Sequence, residues 1–313
     1  MFAIDLSTET GAIRLSIFIT LLVSGLGIIF GIVSGSYAIL FDGVYSLVDA
    51  AMTLLSLLVV NLIALTALPQ HRDHILQQRF SMGLWHLEPV VIGLNSAMLM
   101  MVSVYALFNA ILSLMSGGRN LVFGWALAYA VFGLIACFTA AWLGRRANRT
   151  IKSQFLAMDV RAWIMSGCIT AALLVAFLIG LAVQGSAYEY ITPYIDPAVL
   201  AVVCIFLIPM PIPAIRQAIS DLMLVTPTDL KAEVDEAAAA FIAKYGFLDW
   251  RAYVSRMGRS KQIELHIIVP PDAPPRSIPE WDRLRDELSA VIGDANPDRW
   301  MTVLFTSDLA WAE

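Results

Sequence analysis

Charge is scarce in this chain. Asp, Glu, Lys and Arg make up 14% of its 313 residues, while hydrophobic types make up 59%; an average soluble domain is roughly 25% charged. An ordinary soluble globular protein is excluded. A positive excess is also lacking, since the formal net charge is −5, so no basic stripe is available to neutralise phosphates and nucleic-acid binding is excluded. The three cysteines, Cys137, Cys168 and Cys204, lie in apolar segments without a CxxC spacing, which argues against a disulfide framework or a zinc knuckle and reads them as packing residues. Signatures of catalysis are missing too: there is no HExxH, no phosphate-binding glycine loop and no nucleophile paired with a base, and the chain is not expected to be an enzyme. The acidic N-terminus lacks a small-residue cleavage pattern, so the first apolar segment is expected to be retained.

What charge there is lies unevenly. Residues 1–224 hold 10 Lys+Arg and 10 Asp+Glu, whereas the last 89 hold 10 and 15. This predicts a membrane domain over residues 1–222 and an acidic soluble domain over 223–313. Apolar stretches long enough to cross a bilayer, about 20 residues each, fall near 13–34, 37–67, 88–116, 121–144, 155–183 and 197–219. The second connection carries Arg72 and Arg79, and the fourth carries Arg145, Arg146, Arg149 and Lys152; the third has Arg119, and the first and fifth have no basic residue. The positive-inside rule then places both termini in the cytoplasm. The fifth connection, with Glu189, Asp196 and three tyrosines, suits an outer interface.

In the tail, Thr226 is predicted to cap a helix that has Pro227 in its first turn and stops at Gly246. WRAYVSRM and QIELHIIV flank Gly258 as a hairpin, with Ile263, Leu265, Ile267 and Val269 alternating onto one face. A Pro-rich loop, a helix from Pro279 to Ile292 and the strand WMTVLFT complete the order α-β-β-α-β, an open α/β sandwich of ferredoxin- or metallochaperone-like type. His266 falls on the face opposite Ile263, Leu265 and Ile267, as a surface or dimer-interface residue.

Ionisable groups inside a span are expensive and point to function by default. Here they are Asp42, Asp49, Asp159 and Arg161. On a helix turning about 100° per residue, Asp42, Tyr45 and Asp49 lie within roughly 60° of one another and form one polar stripe. Span five repeats the spacing in depleted form, as Asp159, Ala162 and Ser166. Such aspartates either hydrogen-bond neighbouring helices or mark an ion path, and two same-face carboxylates in one span exceed what packing requires. Arg161 is expected to snorkel to the headgroups. Asn95, in the middle of span three, must find a partner, through helix packing or through a place on the path.

Six spans, a small α/β tail, FDGVYSLVD on span two and LAMDVRAWIMS on span five together resemble the cation diffusion facilitator family of metal transporters, over nearly the whole chain. That family reads Ala-Asp-x-x-(His or Asp)-x-x-x-Asp on span two and Ala-Asp-x-x-His-x-x-Ser-Asp on span five. Asp42, Tyr45 and Asp49 fall on the first pattern, and Asp159, Ala162 and Ser166 on the second. GLWHLEP at 83–89, Asp196-Pro197 opening span six, and ELHIIV in the tail are further echoes. Of the four transport ligands the family uses, only Asp49 is intact, with Tyr45 in a variable first position; Ala162 cannot bind metal and Ser166 offers a weak neutral oxygen.

The resemblance implies a secondary active exporter of a divalent cation, working by proton antiport as a homodimer joined through its tail; the compactness of the chain suggests a bacterial origin and hence the cell (inner) membrane. The donors left, Tyr45, Asp49, Asp159, Asp42 and Ser166, are all oxygens, which favours manganese or iron over zinc. Setting spans two and five antiparallel about the site the family implies, a rise of about 1.5 Å per residue puts Asp159 roughly 4–5 Å below Asp49, toward the cytoplasm, and Asp42 about 7–8 Å above the centre. Asp49 with Tyr45 is expected to bind the ion, Asp159 to receive it, and Asp42 to pass it outward. The depleted span five supports an alternative: a non-transporting metal sensor, or a partner subunit of a complete transporter. His71, Asp73 and His74, after span two, are either a second metal site or part of a solvated loop. His86 and Glu88 read as an interfacial hydrogen-bonding pair.

Overall fold

The computed structural model describes residues 9–67, 83–151, 154–293 and 299–312. His71, Asp73 and His74 lie outside the described residues. Among the described residues, six segments are long and apolar enough to cross a membrane. Five of them are single helices: α1 (Glu9–Ser34), α2 (Tyr37–Ala67), α3 (Leu87–Met115), α4 (Phe123–Ile151) and α5 (Gln154–Val183). The sixth differs from the expected uninterrupted helix beginning at 197. It starts at α6 (Thr192–Leu207), breaks into turns, and resumes as α7 (Ile212–Leu222). Pro209 and Pro211 have no N–H to give the preceding turn, and the helix yields there. Helix α4 also runs past its expected end, carrying Arg145, Arg146 and Arg149 on added turns.

By its internal contacts the chain divides into two compact units, Met1–Leu55 with Asn95–Pro213, and Ser56–Leu94 with Ala214–Glu313. In the first, α1 and α2 meet backbone to backbone. A Cβ placed on Gly43 would lie 2.7 Å from the Ile28 nitrogen, and one on Gly31 would lie 2.6 Å from the Leu40 Cα. With lipid outside and no hydrophobic drive between helices, this closeness supplies packing energy that larger side chains would prevent.

The start of α2 is held by Asp196, which was expected in an outward-facing connection and is instead 1% exposed. Its carboxylate accepts from the Ser36 hydroxyl, from the Tyr37 N–H at 2.9 Å and from the Ala38 N–H at 3.4 Å. It thus satisfies backbone donors that a helix start leaves open. Pro197 lies inside α6 and leaves the Pro193 carbonyl without its helical donor; that carbonyl takes the Arg119 N–H at 2.8 Å. The Arg119 guanidinium lies 3.3 Å from the centre of the Tyr37 ring. Cys137 and Cys204 are buried as expected of packing residues, whereas Cys168 is exposed.

In the second unit, α8 (Thr228–Tyr245), β1 (Asp249–Met257), β2 (Ser260–Ile268), α9 (Ile278–Ile292) and β3 (Arg299–Thr306) follow the expected order. The sheet runs β1-β2-β3, antiparallel between β1 and β2 and parallel between β2 and β3. Helix α8 is capped at Pro227, one residue later than the expected Thr226, and ends at Gly246, which takes the left-handed conformation at φ 70°. Helix α9 opens on a capping box between Ser277 and Glu280. Ile263, Leu265 and Ile267 are fully buried, against Val234 and Phe241 of α8 and Leu288 of α9. His266, expected at the surface, is 8% exposed. The Tyr253 ring packs edge-on to it at 5.6 Å, and the Tyr253 hydroxyl donates to the Ala312 carbonyl, which draws the chain end to that face. Glu88 pairs with Arg259 in the hairpin turn, at 3.2 Å.

Two predictions follow from these contacts. Gly43→Ala overpacks the α1–α2 contact and lowers stability by about 1–3 kcal/mol, whereas Gly25→Ala, whose Cβ meets nothing within 4 Å, does not; thermal unfolding of both variants in detergent checks this. Burial works against ionisation of Asp235, but the Lys231 ammonium and the Trp250 indole N–H outweigh it and hold the carboxyl below its ordinary value. A lowered carboxyl contributes stability that is complete above the unfolded value and is lost as pH falls through the folded one. The melting-temperature gap between wild type and Asp235→Asn should therefore hold from neutrality down to the ordinary carboxyl range, about pH 4, and shrink as pH falls further.

Candidate functional site

Helix α2 carries Asp42, Tyr45 and Asp49 at intervals of three and four residues, the spacing that puts side chains on one helical face. All three line a cavity of about 280 Å3 within the first unit. Helix α5 contributes Asp159, Ala162 and Ser166 to the same cavity. The candidate residues of spans two and five that lie within the described chain are therefore gathered around one space. Thr20 and Val23 of α1 and Leu200, Val203 and Leu207 of α6 complete much of its apolar wall.

Each carboxylate is addressed by a side chain from another helix. The Tyr129 hydroxyl of α4 donates to Asp42 Oδ2 at 2.8 Å. It reaches there because Gly27 has no side chain: a Cβ at that position would lie 2.7 Å from the Tyr129 oxygen. The Ser16 hydroxyl of α1 donates to Asp159 Oδ1 at 2.8 Å and accepts from Trp163 Nε1 at 2.8 Å, so one serine links the carboxylate to an indole one turn further along α5. Asp49 takes a hydrogen bond from the Asn95 side chain of α3. Ser166 accepts a long contact from the Cys137 thiol at 3.6 Å, and Tyr45 packs its ring against Phe41 at 5.5 Å.

Sequence reasoning missed Tyr129, Ser16 and Trp163. Each is an amphipathic or polar side chain within an apolar segment, and the demand of such groups for a partner is the signal that could have flagged them. Which carboxylate each answers is set by helix packing and is absent from the spacing.

The cavity offers carboxylate, phenol and hydroxyl oxygens. Among the described residues, no three His, Cys, Asp or Glu side chains come together as a cluster that could hold a metal. Cation chemistry in this cavity thus has three separate carboxylates, Asp42, Asp49 and Asp159, and otherwise neutral oxygens to work with, a set that suits hard, oxygen-seeking ions.

Residues 13–223 match the family model described as the cation efflux transmembrane domain. No curated protein matches the chain. The Tyr129–Asp42 contact yields its own prediction: in a double-mutant cycle of Tyr129→Phe and Asp42→Asn, thermal unfolding in detergent should return a coupling energy of about 1 kcal/mol.

Proposed function

The chain belongs to the cation efflux family of metal transporters, and on that premise we propose that it exports a divalent cation from the cytoplasm in exchange for protons. The observation that carries the reading is the single cavity onto which Asp42, Tyr45 and Asp49 of α2 and Asp159 of α5 all open. In this reading Asp159 meets the ion first from the cytoplasmic side, Asp49 with Tyr45 holds it, and Asp42 passes it outward, with Ser166 as an auxiliary oxygen. Ligands must be deprotonated to bind metal, so Asp49 and Asp159 are the groups that trade a proton for the ion. Manganese and ferrous iron fit the oxygen-only donors better than zinc does. Residues 1–222 form the transport domain and 223–313 a cytoplasmic domain through which two copies pair, with both termini cytoplasmic in an inner membrane.

A second reading, a metal sensor or the partner subunit of a complete transporter, draws on Ala162 and Ser166, which leave α5 with one carboxylate in the cavity. Flux separates the two. Proteoliposomes with a metal-sensitive dye inside, tested with manganese, ferrous iron, cobalt, zinc and magnesium, should show uptake that rises with an imposed proton gradient. Asp49→Ala and Asp159→Ala should each cut it by at least about tenfold while eluting from size exclusion as wild type does. Absence of flux for every ion, from a folded protein, overturns the exporter reading in favour of the second.

A further inference from the structure

Among the described residues, two buried side-chain polar atoms have no hydrogen-bond partner, and one of them is the Asn95 carbonyl oxygen, Oδ1. A buried acceptor without a donor is costly, and apolar surroundings supply little water to answer it. Asn95 stands on α3, and its side chain is hydrogen-bonded to Asp49. The chemistry of the amide settles which end does this. A carboxylate accepts, so it meets the NH2 group, and the carbonyl is the end left over.

The unused oxygen thus belongs to the amide whose NH2 group meets the carboxylate that the reading above makes the centre of the cation site, on which this inference rests; Asn95 stands behind Asp49, outside the cavity's own lining. That site is short of donors, because α5 presents a methyl at Ala162 and a hydroxyl at Ser166 where the resemblance calls for ligands. Hard divalent cations take six or more oxygens and accept amide carbonyls readily. We infer that Asn95 Oδ1 is a ligand of the transported cation, supplied from α3 in place of a donor that α5 lacks. The terminal torsion of asparagine is broad. A cation arriving at Asp49 therefore displaces the amide N–H, and the amide turns its carbonyl toward the ion. A neutral carbonyl adds an oxygen without adding charge, which steers the site further from zinc and toward manganese and magnesium.

The test uses cobalt(II) alone, titrated into the full-length protein in detergent and followed by its visible absorption, which reports the number and type of ligands. Asn95→Leu keeps the size and removes both polar ends; Asn95→Asp keeps an oxygen. Asn95→Leu should weaken cobalt binding by about tenfold or more and change the absorption bands, whereas Asn95→Asp should bind at least as tightly as wild type. Equal weakening in both variants would mean that the amide merely props Asp49, and would overturn the assignment. So would wild-type affinity and spectrum in Asn95→Leu. Asp49→Ala separates the two levels of argument. If it abolishes cobalt binding while Asn95→Leu does not, only the Asn95 inference falls. If it leaves binding intact, or if the wild type binds no cobalt, the Asp49 cation site falls and the inference with it.

Discussion

A carboxylate placed among apolar helices has to be answered by a donor from the protein, because the surrounding lipid has none to give. Much of the first unit is arranged around that requirement. Tyr129 of α4 answers Asp42, Ser16 of α1 answers Asp159, Asn95 of α3 answers Asp49, and Ser36 with two backbone N–H groups answers Asp196. These four aspartates therefore tie α2, α5 and α6 to their neighbours by directional contacts, where packing alone would leave rotation about each helix axis weakly specified. Asp42, Asp49 and Asp159 also line the cavity, so three of the groups that orient the helices also give the space its chemistry.

The tail meets a different constraint with ordinary means. Its sheet buries Ile263, Leu265 and Ile267 under α8 and α9, and its ion pairs, such as Lys231 with Asp235 and Lys244 with Glu287, are surface contacts of the sort that contribute little to stability one at a time. Hydrophobic burial carries this part of the chain.

The parts that periodicity governs were readable in advance. Runs of apolar residues located the six spans, alternation at 263–269 located β2 and its buried face, Gly246 marked the end of α8, and the three-and-four spacing put Asp42, Tyr45 and Asp49 together. What escaped depends on neighbours distant in sequence. Asp196 looked like an interfacial acid because its partners, Ser36 and the first N–H groups of α2, lie some 160 residues away. His266 alternated onto an outer face, but the contact of Tyr253 with Ala312 covers it. The break between α6 and α7 was written in Pro209 and Pro211, and the surrounding hydropathy masked it. Ser16 and Tyr129 are single hydroxyls in apolar segments, and spacing says nothing about which acid each meets.

The glycines between α1 and α2 have a mechanical consequence. Where two helices touch through backbone, with no side chains between them to change rotamer, the contact has no slack: one helix cannot roll or slide on the other without atoms colliding. Gly27, Gly31 and Gly43 make such a contact, so the first turns of α2, with Asp42 and Tyr45 on them, are bolted to α1 as a two-helix strut. In the exchange proposed above, a rearrangement that opens the cavity would fall to the opposite wall, where α5 and α6 face the space with side chains such as Met165 and Leu207.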